Sequence, residues 1–237
     1  MATANSKEIS QVKEQNKFIT RVYAWMTAAL SISGIFAYFT SQYLEAMGNQ
    51  ALPFFKVVFP VLAIAEIVMV FALSASIRKI SSFAAGFMFV IYSVMNGITL
   101  SSIFIVYELS SLVSVFAVSA LMFAAMVLYG TFTKQNILSY GRYFSMALIG
   151  VLIATGVNFL FRALGWETGA FDTVISIICV VLFTGLSAYD AQKMIRAAEN
   201  ANDSEVFKKA SIIGALELYL DFINIFLAML RLFGRRK

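Results

Sequence analysis

Residues 211–233 read SIIGALELYLDFINIFLAMLRLF, an almost unbroken apolar run. An α-helix rises about 1.5 Å per residue, and the hydrocarbon core of a bilayer is about 30 Å thick, so a run of this length crosses it. The same run contains two carboxylates, Glu217 and Asp221. Ionisable groups cost several kcal/mol inside a membrane and are functional candidates by default.

Six further apolar runs of similar length precede this one, joined by short connections. All seven fall at about Val22–Tyr43, Pro53–Ser76, Phe83–Val106, Leu112–Phe132, Phe144–Phe161, Phe171–Ala191 and Ser211–Phe233. The chain is 60% hydrophobic and 13% charged, with a mean hydropathy of +0.82, whereas soluble domains are about half apolar and a quarter charged. The sequence therefore predicts an all-α polytopic membrane protein, a bundle of seven transmembrane helices.

The polar N-terminus indicates a cytosolic tail over residues 1–20, followed by one seven-span transmembrane domain over 21–237. With the N-terminus inside, twelve Lys and Arg residues lie on the inner side and six on the outer side. This bias favours a cytoplasmic N-terminus. The basic tail, residues 231–237, is the exception, because seven complete spans place it outside. Either the earlier spans set the orientation despite the basic residues at the C-terminus, or one segment does not cross the membrane fully.

The composition excludes several classes of function. The chain has no histidine, the commonest ligand for zinc, copper and haem, and its single cysteine, Cys179, cannot form an intrachain disulfide. We therefore expect no cofactor. The net charge of +5 comes mainly from connecting segments, so it orients a membrane protein and predicts no nucleic-acid partner.

The polar residues inside the predicted spans are the candidates for function. Glu66 lies midway along the second span, and Asp190 lies near the end of the sixth. In the seventh, Glu217, Asp221 and Asn224 have i, i+4 and i+7 spacing and therefore line one helix face. Glu66 and Glu217 each have a plainer interpretation, as groups that hydrogen-bond or pair within the bundle.

Asp190 and Asp221 could form a pH-sensitive pair. Two carboxylates in contact cannot both ionise cheaply in a low-dielectric site, so they would share one proton. Its loss would push the helices apart or recruit a cation, and Arg78 or Lys79 could supply a counter-charge to Asp190. However, Lys193 follows Asp190 by three residues, which indicates a shallow position. The two aspartates can therefore meet if the Lys193 side chain extends toward the membrane surface, that is, if it snorkels. The alternative is that Asp190 lies at the membrane interface and does not contact Asp221.

At these residues the sequence resembles the bacterial branch of the Bax inhibitor-1 family, the transmembrane Bax inhibitor motif proteins. The resemblance is strongest in residues 185–193, GLSAYDAQK, and 214–226, GALELYLDFINIF. Residues 96–104, NGITLSSIF, and 129–134, YGTFTK, add to it. It extends over nearly the whole chain after about residue 18.

The resemblance implies a seven-helix bundle with the last helix central, in the bacterial inner membrane. It also implies that Asp190 and Asp221 form a pH-sensing pair, latched by Arg78 or Lys79, in a channel that leaks calcium ions. Glu217 stands where the family position is variable and often uncharged. Because Ca²⁺ prefers six to eight oxygen ligands, Asp190, Asp221 and water would bind it only weakly and transiently.

Two other functions compete with a leak channel. Paired aspartates in neighbouring spans are also typical of intramembrane aspartyl proteases, but their Gly-x-Gly-Asp and Pro-Ala-Leu motifs are missing, so we expect no enzyme. Some bacterial relatives are thought to modulate a membrane-anchored quality-control protease. The polar tail, residues 1–17, would be the contact in that case.

Overall fold

The structure is a computed structural model that describes residues 2–199 and 204–237, with side chains from residue 11 onward. In this part of the chain seven α-helices are long and apolar enough to cross a membrane. They are α1 (Ala2–Met47), α2 (Phe59–Ser76), α3 (Ser82–Val106), α4 (Leu109–Phe132), α5 (Gly141–Ala163), α6 (Gly169–Ala198) and α7 (Glu205–Phe233). The predicted all-α architecture with seven spans is confirmed.

Three helices extend well beyond the apolar runs that predicted them. Helix α1 begins at Ala2 instead of near residue 22, α6 continues to Ala198, and α7 begins at Glu205. The added residues include many Ala, Lys, Glu and Gln, which have high helix propensity in water. Hydropathy therefore located the membrane-crossing part of each helix but not its ends.

The first of two compact units comprises Met1–Glu108, Ala197–Tyr219 and Arg236–Lys237. Within it both α1 and α2 pack against α3. The α1–α3 contact is close because Gly97 has no side chain, and a Cβ there would lie 2.6 Å from the Ser33 carbonyl oxygen. Small residues that let helix backbones approach are typical of membrane interfaces.

The C-terminal residues of the first unit lie at the end where α1 and α3 finish. The Lys237 ammonium is 3.0 Å from the Glu45 carboxylate, and the Lys237 amide donates to the Val106 carbonyl at 3.0 Å. Arg236 forms a backbone bridge with Tyr107. The tail is therefore at the opposite end from Phe18, which packs against Phe207 near the start of α7. This placement matches seven complete crossings.

The second compact unit comprises Leu109–Arg196 and Leu220–Arg235. Helices α4 and α6 approach at Gly130, where a Cβ would lie 2.1 Å from the Ala188 carbonyl oxygen. The contact leaves no room for any side chain. It fixes the end of α6 that carries Asp190 against α4.

Helix α7 is the most buried of the described spans, which agrees with the central position that the resemblance implied. In its most apolar 18-residue window 72% of residues are buried, against at most 39% in any other described span. Helix α2 is the opposite case, with 6% buried, and its exposed side chains include Ile64, Ile67 and Phe71. Such apolar surface suits contact with lipid.

We expect Gly130→Ala to destabilise the protein, because the added methyl group would overlap the Ala188 carbonyl. The free energy of unfolding should fall by about 1–3 kcal/mol, the usual cost of overpacking. Gly150→Ala is the matched control, since nothing lies within 4 Å of its Cβ position. Thermal unfolding in detergent compares the two, and equal melting temperatures would contradict the close α4–α6 contact.

Candidate functional site

Asp190 and Asp221 are both buried within the second unit. Asp190 on α6 is 7% exposed, and Asp221 on α7 is 4% exposed. A carboxylate in a membrane span is tolerated where it faces the protein interior or a water-filled cavity. Burial satisfies the first of these conditions for both residues. That the two carboxylates share a proton stays a prediction.

The surroundings of Asp190 are held by the connection between α4 and α5. The Gln192 amide donates to the Gln135 carbonyl at 2.8 Å, and Gln192 Oε1 accepts from the Leu138 amide at 3.3 Å. Lys193 Nζ lies 4.0 Å from Asp190 Oδ1. The Lys193 side chain is 42% exposed and that of Asp190 only 11%, so the lysine extends outward from a buried neighbour, as snorkelling requires.

An aromatic cluster adjoins Asp221. The ring of Phe222 packs edge-on against Phe116 and Phe123 of α4, with centroids 5.3 and 5.7 Å apart. The amide of Asn224, half-buried, donates to the Leu220 carbonyl at 2.8 Å and is thus bonded to its own helix. These rings place an apolar wall beside the carboxylate-bearing turn of α7.

The remaining predicted site residues lie in the first unit. Glu217 is half-buried on α7, one turn before Asp221. Arg78 and Lys79 are exposed in the turn between α2 and α3. The Arg78 carbonyl accepts from Lys209 Nζ at 3.4 Å. A latch between Arg78 or Lys79 and Asp190 stays a prediction.

Glu66 is held by two donors from α3. Asn96 Nδ2 donates to Glu66 Oε2 at 3.0 Å, and the Thr99 hydroxyl donates to Glu66 Oε1 at 2.7 Å. Each carboxylate oxygen therefore has a partner, although α2 is otherwise the most lipid-exposed span. This geometry agrees with the plainer interpretation of Glu66, a group that hydrogen-bonds within the bundle.

The hydrogen bonds of Glu66 continue through the first unit to α7 and α1. The Tyr219 hydroxyl donates to Asn96 Oδ1 at 2.7 Å, and the hydroxyls of Tyr219 and Ser33 are also 2.7 Å apart. Ser33 in turn donates to the Ser93 carbonyl at 2.7 Å. Glu66, Asn96, Tyr219 and Ser33 thus form a polar chain that links α2, α3, α7 and α1.

Sequence reasoning missed two members of this polar chain, Ser33 and Tyr219. Both are almost fully buried, at 1% and 0% exposure. The only available signal was the position of Tyr219 between Glu217 and Asp221. Ser33 lies in an apolar run with Ser31 and Gly34 beside it, and nothing in that pattern distinguishes it from Ser31.

A second ionic cluster also escaped the sequence analysis. Asp172, in the first turn of α6, pairs with Arg162 at the end of α5 and accepts from Asn158. The Thr168 hydroxyl accepts from Arg162 Nε at 3.0 Å. The cluster closes the α5–α6 turn, in which Gly165 has a φ of +81°. It has the geometry of a structural clasp.

Among the described residues there is no group of three or more His, Cys, Asp or Glu side chains that could hold a metal ion. The calcium contact predicted at Asp190 and Asp221 would therefore rest on two carboxylates, with water or backbone oxygens as the other ligands. The predicted protease contact falls in the N-terminal tail, and the side chains of residues 1–10 lie outside the described residues.

The chain is similar to known proteins along nearly all of its length. Residues 15–237 match the family model described as "Inhibitor of apoptosis-promoting Bax1". The inner membrane protein YbhL of Escherichia coli strain K12 is 42% identical over 225 residues, which cover 93% of this chain and 92% of that protein.

Uncharacterised proteins from two distant bacteria are also similar. That of Borreliella burgdorferi is 37% identical and covers 98% of this chain and 97% of its own length. The protein of Deinococcus radiodurans is 35% identical, and the match covers 100% of this chain and 96% of that protein. The matched region therefore covers the positions of all seven spans.

We expect Tyr219→Phe to destabilise the first unit, because it removes the hydroxyl that bridges Asn96 and Ser33. Leaving buried polar partners unsatisfied should lower the free energy of unfolding by about 1–2 kcal/mol. Tyr43→Phe is the control, since that ring is 66% exposed. If both variants melt at the wild-type temperature, the polar chain contributes nothing to stability.

Proposed function

This chain belongs to the Bax inhibitor-1 family, and we propose that it is a pH-sensitive leak channel for calcium or similar cations in the bacterial inner membrane. The membrane assignment follows from its seven spans and from its similarity to an inner membrane protein. The channel proposal is carried by one observation: Asp190 and Asp221, on two different spans of one compact unit, are both buried.

The proposed gate is the proton held by this pair. With one shared proton the pair carries a single negative charge, and the carboxyl groups attract each other through a hydrogen bond. When the proton leaves, two like charges remain in a poorly solvated place, and their repulsion favours separation of α6 and α7 or entry of a cation. Cation flux should therefore increase as the pH rises.

The chemistry of the pair also suggests the type of ion. Carboxylate oxygens are hard ligands and suit Ca²⁺, which takes six to eight oxygens. Asp190 and Asp221 supply only part of that shell, so an ion would retain water and leave readily. Conduction requires binding that is strong enough for entry and weak enough for exit.

We also propose that the protein is not an enzyme. The buried aspartates have a role in ion passage that needs no bond cleavage. The only prolines are Pro53 and Pro60, so the Pro-Ala-Leu motif of intramembrane aspartyl proteases is missing from the sequence.

The proposal is tested by reconstituting the full-length protein in liposomes that contain a calcium-sensitive dye. We expect calcium entry to increase between about pH 6 and 8, as the buried pair loses its shared proton. Asp221→Asn should flatten this pH dependence, because only one titrating carboxylate remains. The rate of dye response at each pH is the measurement.

Asp172→Asn is the matched control for this experiment. It makes the same chemical change as Asp221→Asn, but at the α6 carboxylate that pairs with Arg162, outside the buried pair. It should retain the pH dependence of the wild type. Absence of flux in every protein at every pH would overturn the channel proposal, and an equal effect of Asp172→Asn would overturn the assignment to the buried pair.

A further inference from the structure

A cavity of about 580 Å³ lies within the second unit, between the first two turns of α4 and the end of α7. Its α4 wall changes in polarity along the helix. Ser110, Ser111 and Ser114 come first, and Val115 and Val118 follow. From Ser110 to Val118 the helix rises about 12 Å, so the wall passes from polar to apolar over that distance.

The α7 wall changes in the same direction. Of the three lining residues at this end of the chain, Met229 lies farthest from the end of α7. Phe233 is the last residue of the helix, and Arg235 lies two residues beyond it. Because α7 runs antiparallel to α4, Arg235 meets the serine end of the cavity. The Arg235 amide donates to Ser111 Oγ at 2.9 Å, which ties the two walls together at this end.

The floor and the rim differ in exposure. Val115 and Met229 are 6% and 8% exposed and form the floor, whereas Val118 and Phe233 are 47% and 65% exposed and lie at the rim. The cavity is thus an open groove with a buried apolar base. Because the groove lies at the ends of two membrane spans, we expect it to lie where lipid headgroups meet the acyl chains.

The charge of the groove is positive. Arg235 contributes a guanidinium, and none of the described residues that line the groove is acidic. The planar fork of a guanidinium suits the bidentate recognition of phosphate. The Ser111 hydroxyl beside it accepts from the Arg235 amide and can donate its own proton to a phosphate or ester oxygen. The Ser114 hydroxyl, in contrast, donates to the Ser110 carbonyl at 2.8 Å and can accept from a lipid hydroxyl.

We propose that this groove binds an anionic phospholipid. Its phosphate contacts Arg235, its glycerol and ester oxygens lie along Ser111 and Ser114, and the upper part of an acyl chain lies against Val115, Val118 and Met229. The order of groups in a phospholipid, from charged headgroup through esters to hydrocarbon, matches the order of side chains on both walls. The volume lies within the usual range of ligand sites, about 300–1,000 Å³, and accommodates a headgroup and the first part of one chain.

The test is native mass spectrometry of the full-length protein in detergent, titrated with phosphatidylglycerol or with phosphatidylcholine of the same chains. We expect phosphatidylglycerol to bind more tightly. Arg235→Gln should weaken its binding about fivefold or more, the usual contribution of one basic residue to anionic lipid binding. Arg236→Gln is the matched control, because it removes the same charge from the next residue, which does not line the groove.

A second pair of variants tests the apolar part of the groove. Ser114→Phe should block it and abolish tight binding, whereas Val113→Phe, at an exposed position on the same helix outside the groove, should bind as the wild type does. Ser114 and Arg235 are both exposed, so we expect both variants to fold. Thermal unfolding without lipid checks this for each.

Three results would overturn the proposal. They are equal binding of the two lipids, equal losses in Arg235→Gln and Arg236→Gln, and displacement of phosphatidylglycerol by millimolar inorganic phosphate alone. The first would show that headgroup charge has no effect on binding, the second would indicate general attraction to the charged tail, and the third would indicate a site for a free anion. None of them bears on calcium flux, so this proposal and the channel proposal fail separately.

Discussion

A polar group placed in a membrane must find its partner inside the protein, and this requirement organises the whole chain. Helix α7 carries Glu217, Tyr219 and Asp221 within its apolar run, and it is also the most buried span. Helix α2 carries one acid, Glu66, and is otherwise exposed to lipid. That acid is turned to α3, where Asn96 and Thr99 hold both of its oxygens.

The sequence predicted the helices well because length and hydropathy are local properties. It predicted their ends poorly, because a helix continues as long as its residues favour helix, whether or not they lie in lipid. Thus the polar residues at the start of α1 and the end of α6 extend those helices beyond the apolar runs. The burial of Asp221 was also predictable, since apolar residues extend on both sides of it, whereas Lys193 left open a position of Asp190 at the membrane interface.

The partners of the buried groups were not predictable in the same way. Ser33 and Tyr219 meet because α1 and α7 are rotated so that both face α3, and no local pattern encodes such a rotation. The groove at Arg235 depends on a contact with Ser111, 124 residues earlier in the chain. The Asp172–Arg162 clasp was closer in sequence, but its ion pair needed the turn at Gly165 to form.

Helix α7 combines two kinds of polar group that differ in what they can do. Tyr219 makes hydrogen bonds that no physiological change of pH removes, whereas Asp221 can gain or lose a charge. The two residues are two positions apart, which is about 200° around an α-helix, so their side chains point in nearly opposite directions. One face of α7 is therefore held by permanent bonds and the other carries an ionisable group. In the proposed channel, proton loss would act on the Asp221 face of α7 while the hydrogen bonds of Tyr219 hold the other face.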